Sequence, residues 1–201
     1  MTIDQIVEKF NLQVDDASEL STAESFELAN DVYQDVQDDR PWEWLKTPYS
    51  GTTSTTVPYI ALPADFKEIA PNKDNESVVF VGTDFQEYKV ISFADRRDYR
   101  DQDGFCYIDI PNSRLVFTLQ PTSAKAVEYD YIKVAATLTT GTSPIFRSGF
   151  HKIIMYGMAM KFPSIEQADK GTSYASDNRA EYLRLLTSMA IEDAEIKLAH
   201  V

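Results

Sequence analysis

Few residues in this chain have the type and spacing that catalysis needs. Its 201 residues hold two histidines, His151 and His200, and a single cysteine, Cys106. A histidine base works on a nucleophile or with a carboxylate that orients it. His151 sits among Phe150, Lys152 and Ile153 on a helical pattern and reads as structural, while His200 is penultimate and reads as solvated. Cys106 alternates within a strand-like run, with no histidine nearby in sequence, and reads as a buried, inert thiol. Asp101-x-Asp103-Gly104 has the opening spacing of a calcium loop, but Phe105 stands where the next oxygen ligand belongs and no Glu follows at the required distance. There is no Gly-x-Gly or Gly-Lys-Ser loop to cradle a phosphate. The expectation is a non-enzyme with no catalytic residues, no cofactor and no metal.

Charge narrows the field further. Thirty-two acids against nineteen bases leave a net charge of -13. An acidic surface repels phosphates, which argues against sequence-specific DNA binding. Hydrophobic residues make up 43% of the chain, enough for a real core. No apolar run approaches the ~20 residues of a membrane span, and Met1-Thr2-Ile3-Asp4 does not open like a signal peptide. A lone cysteine cannot form an intrachain disulfide, so the expected site of synthesis is a reducing cytoplasm.

Periodicity supplies the elements. Ile3, Ile6, Val7 and Phe10 mark a short helix over 3–12, broken at Asp15-Asp16-Ala17-Ser18. Ser21-Thr22-Ala23-Glu24 is a capping box, and the helix behind it has Phe26, Ala29, Tyr33 and Val36 on one face. Its other face carries Asp31, Asp35 and Asp38, with Asp39 just beyond, close to a C-terminus whose dipole disfavours anions. A facing Lys or Arg, or a neighbouring molecule, would relieve that. Pro41 ends or kinks the helix. Between Thr52 and Leu138 the period becomes two. One hairpin joins 78–81 to 88–93 through a turn with Gly82 and Asp84. A second joins 105–110 to 114–119 through Pro111-Asn112-Ser113, with Leu115, Phe117 and Leu119 on one face. Val127, Tyr129 and Tyr131 alternate in a last strand, and the charged stretch 95–103 is a surface loop or helical turn. Helical spacing returns at Phe146, Phe150, Ile153, Ile154, Gly157 and Met160, and Pro163 stops it. The stretch 164–173 reads as a polar, mobile connection, and a final helix carries an apolar stripe. The fold class is α+β. Terminal segments 1–51 and 139–201 form a helical layer or bundle, and 52–138 is an antiparallel β-rich insertion.

The most informative stretch is 21–69. The second helix leads into Arg40-Pro41-Trp42-Glu43-Trp44-Leu45, then a Thr/Ser/Gly-rich approach over 47–57, then Tyr59-Ile60-Ala61-Leu62-Pro63-Ala64-Asp65-Phe66-Lys67-Glu68-Ile69. Both tryptophans of the chain lie here. A Pro-flanked Trp pair is a heavy apolar anchor at a helix exit. Trp42, Trp44, Leu62, Pro63 and Phe66 are therefore the expected structural junction. Pairing of the strand layer onto the helix explains them without any further role.

This order of elements, with the Trp motif and Leu62-Pro63-Ala64-Asp65-Phe66, resembles the head-to-tail adaptor (connector or neck) proteins of tailed bacteriophages. The motif resemblance is confined to the first third of the chain; beyond it only the class of structure agrees. The resemblance implies a structural virion protein made in the bacterial host cytoplasm and placed in the neck. It would form a ring of about twelve copies beneath the portal, joining capsid to tail and letting DNA pass during ejection. Partners would be the portal protein, neighbouring copies and a downstream tail or neck protein. The expected portal or subunit interface is 182–201, with Tyr182, Leu183, Leu186, Met189, Ala190, Ala194 and Leu198. The alternatives are another neck or tail-completion protein, or a β-rich binding module unrelated to phage.

Overall fold

The computed structural model of the chain describes residues 1–14, 20–72, 76–162 and 172–199. The helix break expected at Asp15-Asp16-Ala17-Ser18 and the stop at Pro163 lie outside the described residues, as do most of the polar connection after Pro163 and His200. The chain divides into two compact units: Met1–Trp44 with Ala135–Val201, and Leu45–Val134.

The first unit is helical. Helix α1 spans Ile3–Val14 and buries Ile3, Ile6, Val7, Phe10 and Val14, one apolar face at helical spacing. Helix α2 spans Thr22–Asp38 and begins with the expected capping box: the Glu24 N–H donates to Ser21 Oγ and the Ser21 N–H donates to Glu24 Oε2. These bonds hold the Glu24 carboxyl below its usual pKa. The acidic end of α2 gains local cations: Lys161 pairs with Asp35 at 2.6 Å and Arg40 with Asp39 at 2.8 Å. Helix α3 spans Lys152–Lys161, shorter than the sequence pattern, because Ser148–Phe150 forms a separate 3-10 turn. Helix α4 spans Thr172–Ala199.

α3 is the hub of this unit, with α1, α2 and α4 all packed against it. It buries Ile153, Ile154, Met155, Gly157, Met158 and Ala159, apolar around most of its circumference, as expected of a helix surrounded by others. The sequence reading put Met160 inward; it is exposed, and Met158 takes the interior position. At Gly157 α3 lies close against both α2 and α4. A Cβ there would run into Val32 Cγ1 and lie 3.1 Å from Val32 Cγ2 and 3.2 Å from the Tyr182 ring.

α2 also holds the returning chain alongside it. The Leu138 N–H donates to Asn30 Oδ1 at 2.7 Å, and Asn30 Nδ2 donates to the Leu138 carbonyl at 3.0 Å. The Ala135 N–H donates to Gln37 Oε1 at 2.8 Å, and the Ile145 N–H donates to the Tyr33 hydroxyl at 3.2 Å. One stripe of α2 thus satisfies the backbone of a segment that forms neither helix nor strand.

The second unit is a sheet of eight strands among the described residues. β1 is Lys46–Thr52, β2 Tyr59–Ala61, β3 Phe66–Ile69, β4 Val78–Val81, β5 Gln86–Ile91, β6 Phe105–Asp109, β7 Arg114–Phe117 and β8 Ala126–Lys133. The order is β1-β8-β4-β5-β6-β7-β2, with β3 also on β8. β8 organises it: β1 runs along it from Lys46↔Ile132 to Thr52↔Ala126. β4 pairs at Val127 and Glu128, and β3 at Tyr131 to Lys133. Pro48 is tolerated because β1 ends the order. Both expected hairpins, β4–β5 and β6–β7, form. Ser113 turns the second in the left-handed region, at φ 51. Leu115 and Phe117 are buried, whereas Leu119 lies past the end of β7 and is exposed. The antiparallel expectation holds for every pair but one. β5 and β6 run parallel, Lys89↔Phe105 to Ile91↔Tyr107, because the charged segment 92–104 crosses over instead of turning back. The sheet is nearly closed, and Ile60, Ile69, Val79, Val81, Tyr88, Cys106, Leu115, Phe117, Val127, Tyr129 and Tyr131 form one core.

Gly157→Ala should cost about 1–3 kcal/mol by forcing α3 away from α2 and α4. Gly149→Ala, whose Cβ would meet nothing within 4 Å, is the control. Chemical denaturation of both variants checks this; equal midpoints would contradict the packing.

Candidate functional site

The residues with chemical potential are occupied by structure. His151 is buried, with Nε2 2.9 Å from the Phe146 carbonyl. Its Nδ1 lies 2.7 Å from the Met1 nitrogen and 2.9 Å from the Met1 carbonyl, so both ring nitrogens engage main chain. Cys106 is fully buried, and burial pushes its thiol up to about 12, far from the thiolate a nucleophile needs. Asp103 Oδ1 accepts from the Tyr88 hydroxyl at 2.5 Å and from the Gly104 N–H at 3.0 Å. Burial first, and then Asp103, raises the pKa of the Tyr88 hydroxyl. Asp101 is exposed and pairs with Arg100. Among the described residues no group of three or more His, Cys, Asp or Glu is placed to hold a metal ion.

What the structure assembles instead is an apolar junction in the helical unit. Trp42 is fully buried and its Nε1–H donates to the Val36 carbonyl at 2.6 Å, which serves one of the last carbonyls of α2. The Trp42 and Trp44 rings stack with centroids 5.8 Å apart, and Trp44 meets Phe146 edge-on at 5.4 Å. The Arg40 guanidinium lies over the Trp42 ring at 4.9 Å. The other three expected junction residues belong to the β unit. Leu62 and Phe66 pack against its core, Phe66 stacks on Tyr131 at 5.8 Å, and the Pro63 carbonyl accepts the Phe66 N–H at 3.1 Å.

α4 reaches the Trp junction. Asp193, almost completely buried, accepts the Glu43 N–H on Oδ1 at 2.7 Å and pairs through Oδ2 with Lys197 at 3.0 Å. Lys197 in turn donates to the Pro41 carbonyl at 3.3 Å. A small pocket opens beside this clamp, lined by Trp44, Phe146, Phe150, Met189 and Ile196 among others. Asp193 was not singled out by sequence reasoning, because an acid on a polar-looking helix end reads as solvated. Its signal is the spacing 178, 182, 185, 189, 193, which repeats every three or four residues.

That spacing is the buried seam of α4. Asn178, Leu185, Met189 and Asp193 are buried and Tyr182 is half-buried. Asn178 Oδ1 accepts from Gln13 of α1 at 2.8 Å. The expected interface residues therefore split. Tyr182 and Met189 face the unit's interior, and Leu186 and Ala190 are half-buried at its margin. Leu183 is 48% exposed, Leu198 is 76% exposed, and Ala194 is exposed with them. Ile191, not named from the sequence, joins them at 58%. Leu183, Thr187, Ile191, Ala194 and Leu198 fall within an arc of about 100° at 3.6 residues per turn. α4 therefore carries two apolar faces, one used inside its unit and one turned outward.

Trp42→Ala should destabilise the isolated chain by about 3–5 kcal/mol, since it removes a buried ring and leaves the Val36 carbonyl without its donor. Thermal melting of the isolated protein reads this. An unchanged melting temperature with loss of assembly alone would move Trp42 from the core to an interface.

No curated protein matches the chain. The sequence model described as SU10 adaptor protein matches residues 1–197, nearly the whole length and both units. With a helical unit and a β-rich insertion between its halves in sequence, and with that match over nearly its whole length, the chain belongs to the SU10 adaptor protein family, a phage head-to-tail adaptor family.

Proposed function

We propose that this protein forms a ring of about twelve copies beneath the phage portal, joins the head to the next component of the neck or tail, and lets DNA pass during ejection. Membership in the SU10 adaptor protein family carries the reading. Two features support it. The outward stripe of α4 leaves Leu183, Ile191 and Leu198 in solvent, more apolar surface than a helix needs to pack within its own unit. A net charge of -13 suits a conduit, since phosphate-attracting walls would hold the moving duplex. The chain's role is mechanical connection, with no turnover assigned to any side chain. The segment 182–201 meets the portal or the neighbouring subunit.

Truncation after Ile191 would also remove Asp193 and with it the partner of the Glu43 N–H, so point substitutions are the cleaner test. The wild-type chain mixed with purified portal rings should give one complex whose mass corresponds to about twelve added copies. Leu183→Lys combined with Leu198→Lys should lower occupancy on the order of tenfold, about 1.4 kcal/mol, with melting temperature unchanged. A wild-type chain that never joins the portal overturns the adaptor role. Undiminished occupancy of the double variant overturns the role of the stripe.

A further inference from the structure

The sheet of the β unit brings its two ends together without pairing them. β1 and β2 follow one another in the chain, yet they stand at opposite ends of the strand order. Among the described residues no backbone hydrogen bond joins them. One side chain spans the gap: the Tyr49 hydroxyl of β1 donates to the Ala61 carbonyl of β2 at 3.3 Å. Tyr49 folds back along its own strand over Gly51, where a Cβ would lie 2.6 Å from the Tyr49 hydroxyl oxygen. Its ring covers Tyr129 of β8, with centroids 4.6 Å apart and planes 24° from parallel. Tyr129 is 3% exposed, and its buried hydroxyl has no hydrogen-bond partner among the described residues. The two other buried tyrosines of this core differ: Tyr88 donates to Asp103 and Tyr131 to Asp65. Burial first, and then Tyr49, Tyr131 and Cys106, raise the pKa of the Tyr129 hydroxyl, which sets the lone cysteine beside the same group.

A buried hydroxyl without a partner is costly, and contact with water relieves it. The seam therefore joins a weak closure to a group that gains when the closure is released. We propose that the β unit opens and closes along the β1–β2 seam, with Tyr49 as its latch. In the closed form the Tyr49–Ala61 bond holds the two ends together and the Tyr49 ring shields Tyr129. In the open form Tyr49 swings away, the edges of β1 and β2 part, and water reaches the Tyr129 hydroxyl. Gly51 lets the latch lie flat, since a Cβ there would push the Tyr49 hydroxyl aside. The pairing of β1 with β8 runs the whole length of β1 and is kept in both forms. Opening is thus a local event within a folded unit, and it presents two strand edges at once. The device lies wholly within the β unit and does not depend on the ring proposed above.

Cys106 is a built-in reporter. It is the only cysteine and is fully buried in the same core as Tyr129, so a thiol reagent reaches it only when the unit opens. The full-length chain is incubated with excess maleimide, and the labelled fraction is followed by mass spectrometry in buffer and in low denaturant. The wild-type rate should hardly change at low denaturant, as a local opening exposes little surface. Tyr49→Phe keeps the ring and removes the latch bond, and should label several-fold faster. Gly51→Ala, which displaces the latch, should do the same. Tyr129→Phe removes the group that gains by opening, and should label several-fold more slowly. Tyr49→Phe and Tyr129→Phe each delete a single oxygen, so both chains keep the fold. A wild-type rate for either of these two would overturn the latch. Labelling that climbs with denaturant as steeply as global unfolding would overturn the local opening.

Discussion

The helical unit depends on how closely three helices approach at Gly157. A side chain as small as alanine would collide there with Val32 of α2 and crowd Tyr182 of α4. Residues from opposite ends of the sequence, Val32 and Tyr182, meet at that glycine. The halves of the unit are separated in sequence by the whole β-rich insertion, so each long-range contact through α3 must offset the entropy of closing a loop of that size. Burial on most sides of α3 is what such closure requires. Apolar residues all round a short helix are a liability in solvent and an asset only at the centre of a bundle.

Polar groups set the accuracy of that assembly. Burial alone would let the extended return segment slide along α2. Asn30, Tyr33 and Gln37, spaced three and four residues apart, fix it through directed bonds to the backbone of Leu138, Ile145 and Ala135. Asp193 does the same for α4 at the Trp junction. Tyr33, Gln37 and Asp193 are buried and Asn30 half-buried, so these polar groups would be costly if unpaired, and each instead pins one register.

The parts of the fold legible in the sequence are those where one local rule dominates. The capping box at Ser21, both hairpins and the alternation in β8 are written in adjacent residues, and each forms as read. The parallel pairing of β5 with β6 was not legible. A charged connection of the length of 92–104 can turn back or cross over, and only the choice of neighbours in the sheet decides between them. α4 was legible as a helix but not in its facing. Its residues alternate between two apolar faces about 150° apart, so the pattern looks like one broad stripe. Only the partner helix reveals that Leu185 and Met189 go in while Leu183 and Ile191 stay out. The same ambiguity hid Asp193, whose burial follows from the backbone N–H of Glu43 and not from any pattern around it.

Electrostatics then constrains how such a chain can associate. At 0.1 M salt the Debye length is about 10 Å, so most of the charge of one copy is invisible to another until they nearly touch. Repulsion from -13 is therefore a weak, diffuse barrier to association and a sizeable one only at low ionic strength. What counts at contact is the sign of the few groups that meet. Surface pairs of this kind contribute modestly to affinity, about 0–1 kcal/mol each, but they fix orientation and exclude wrong faces.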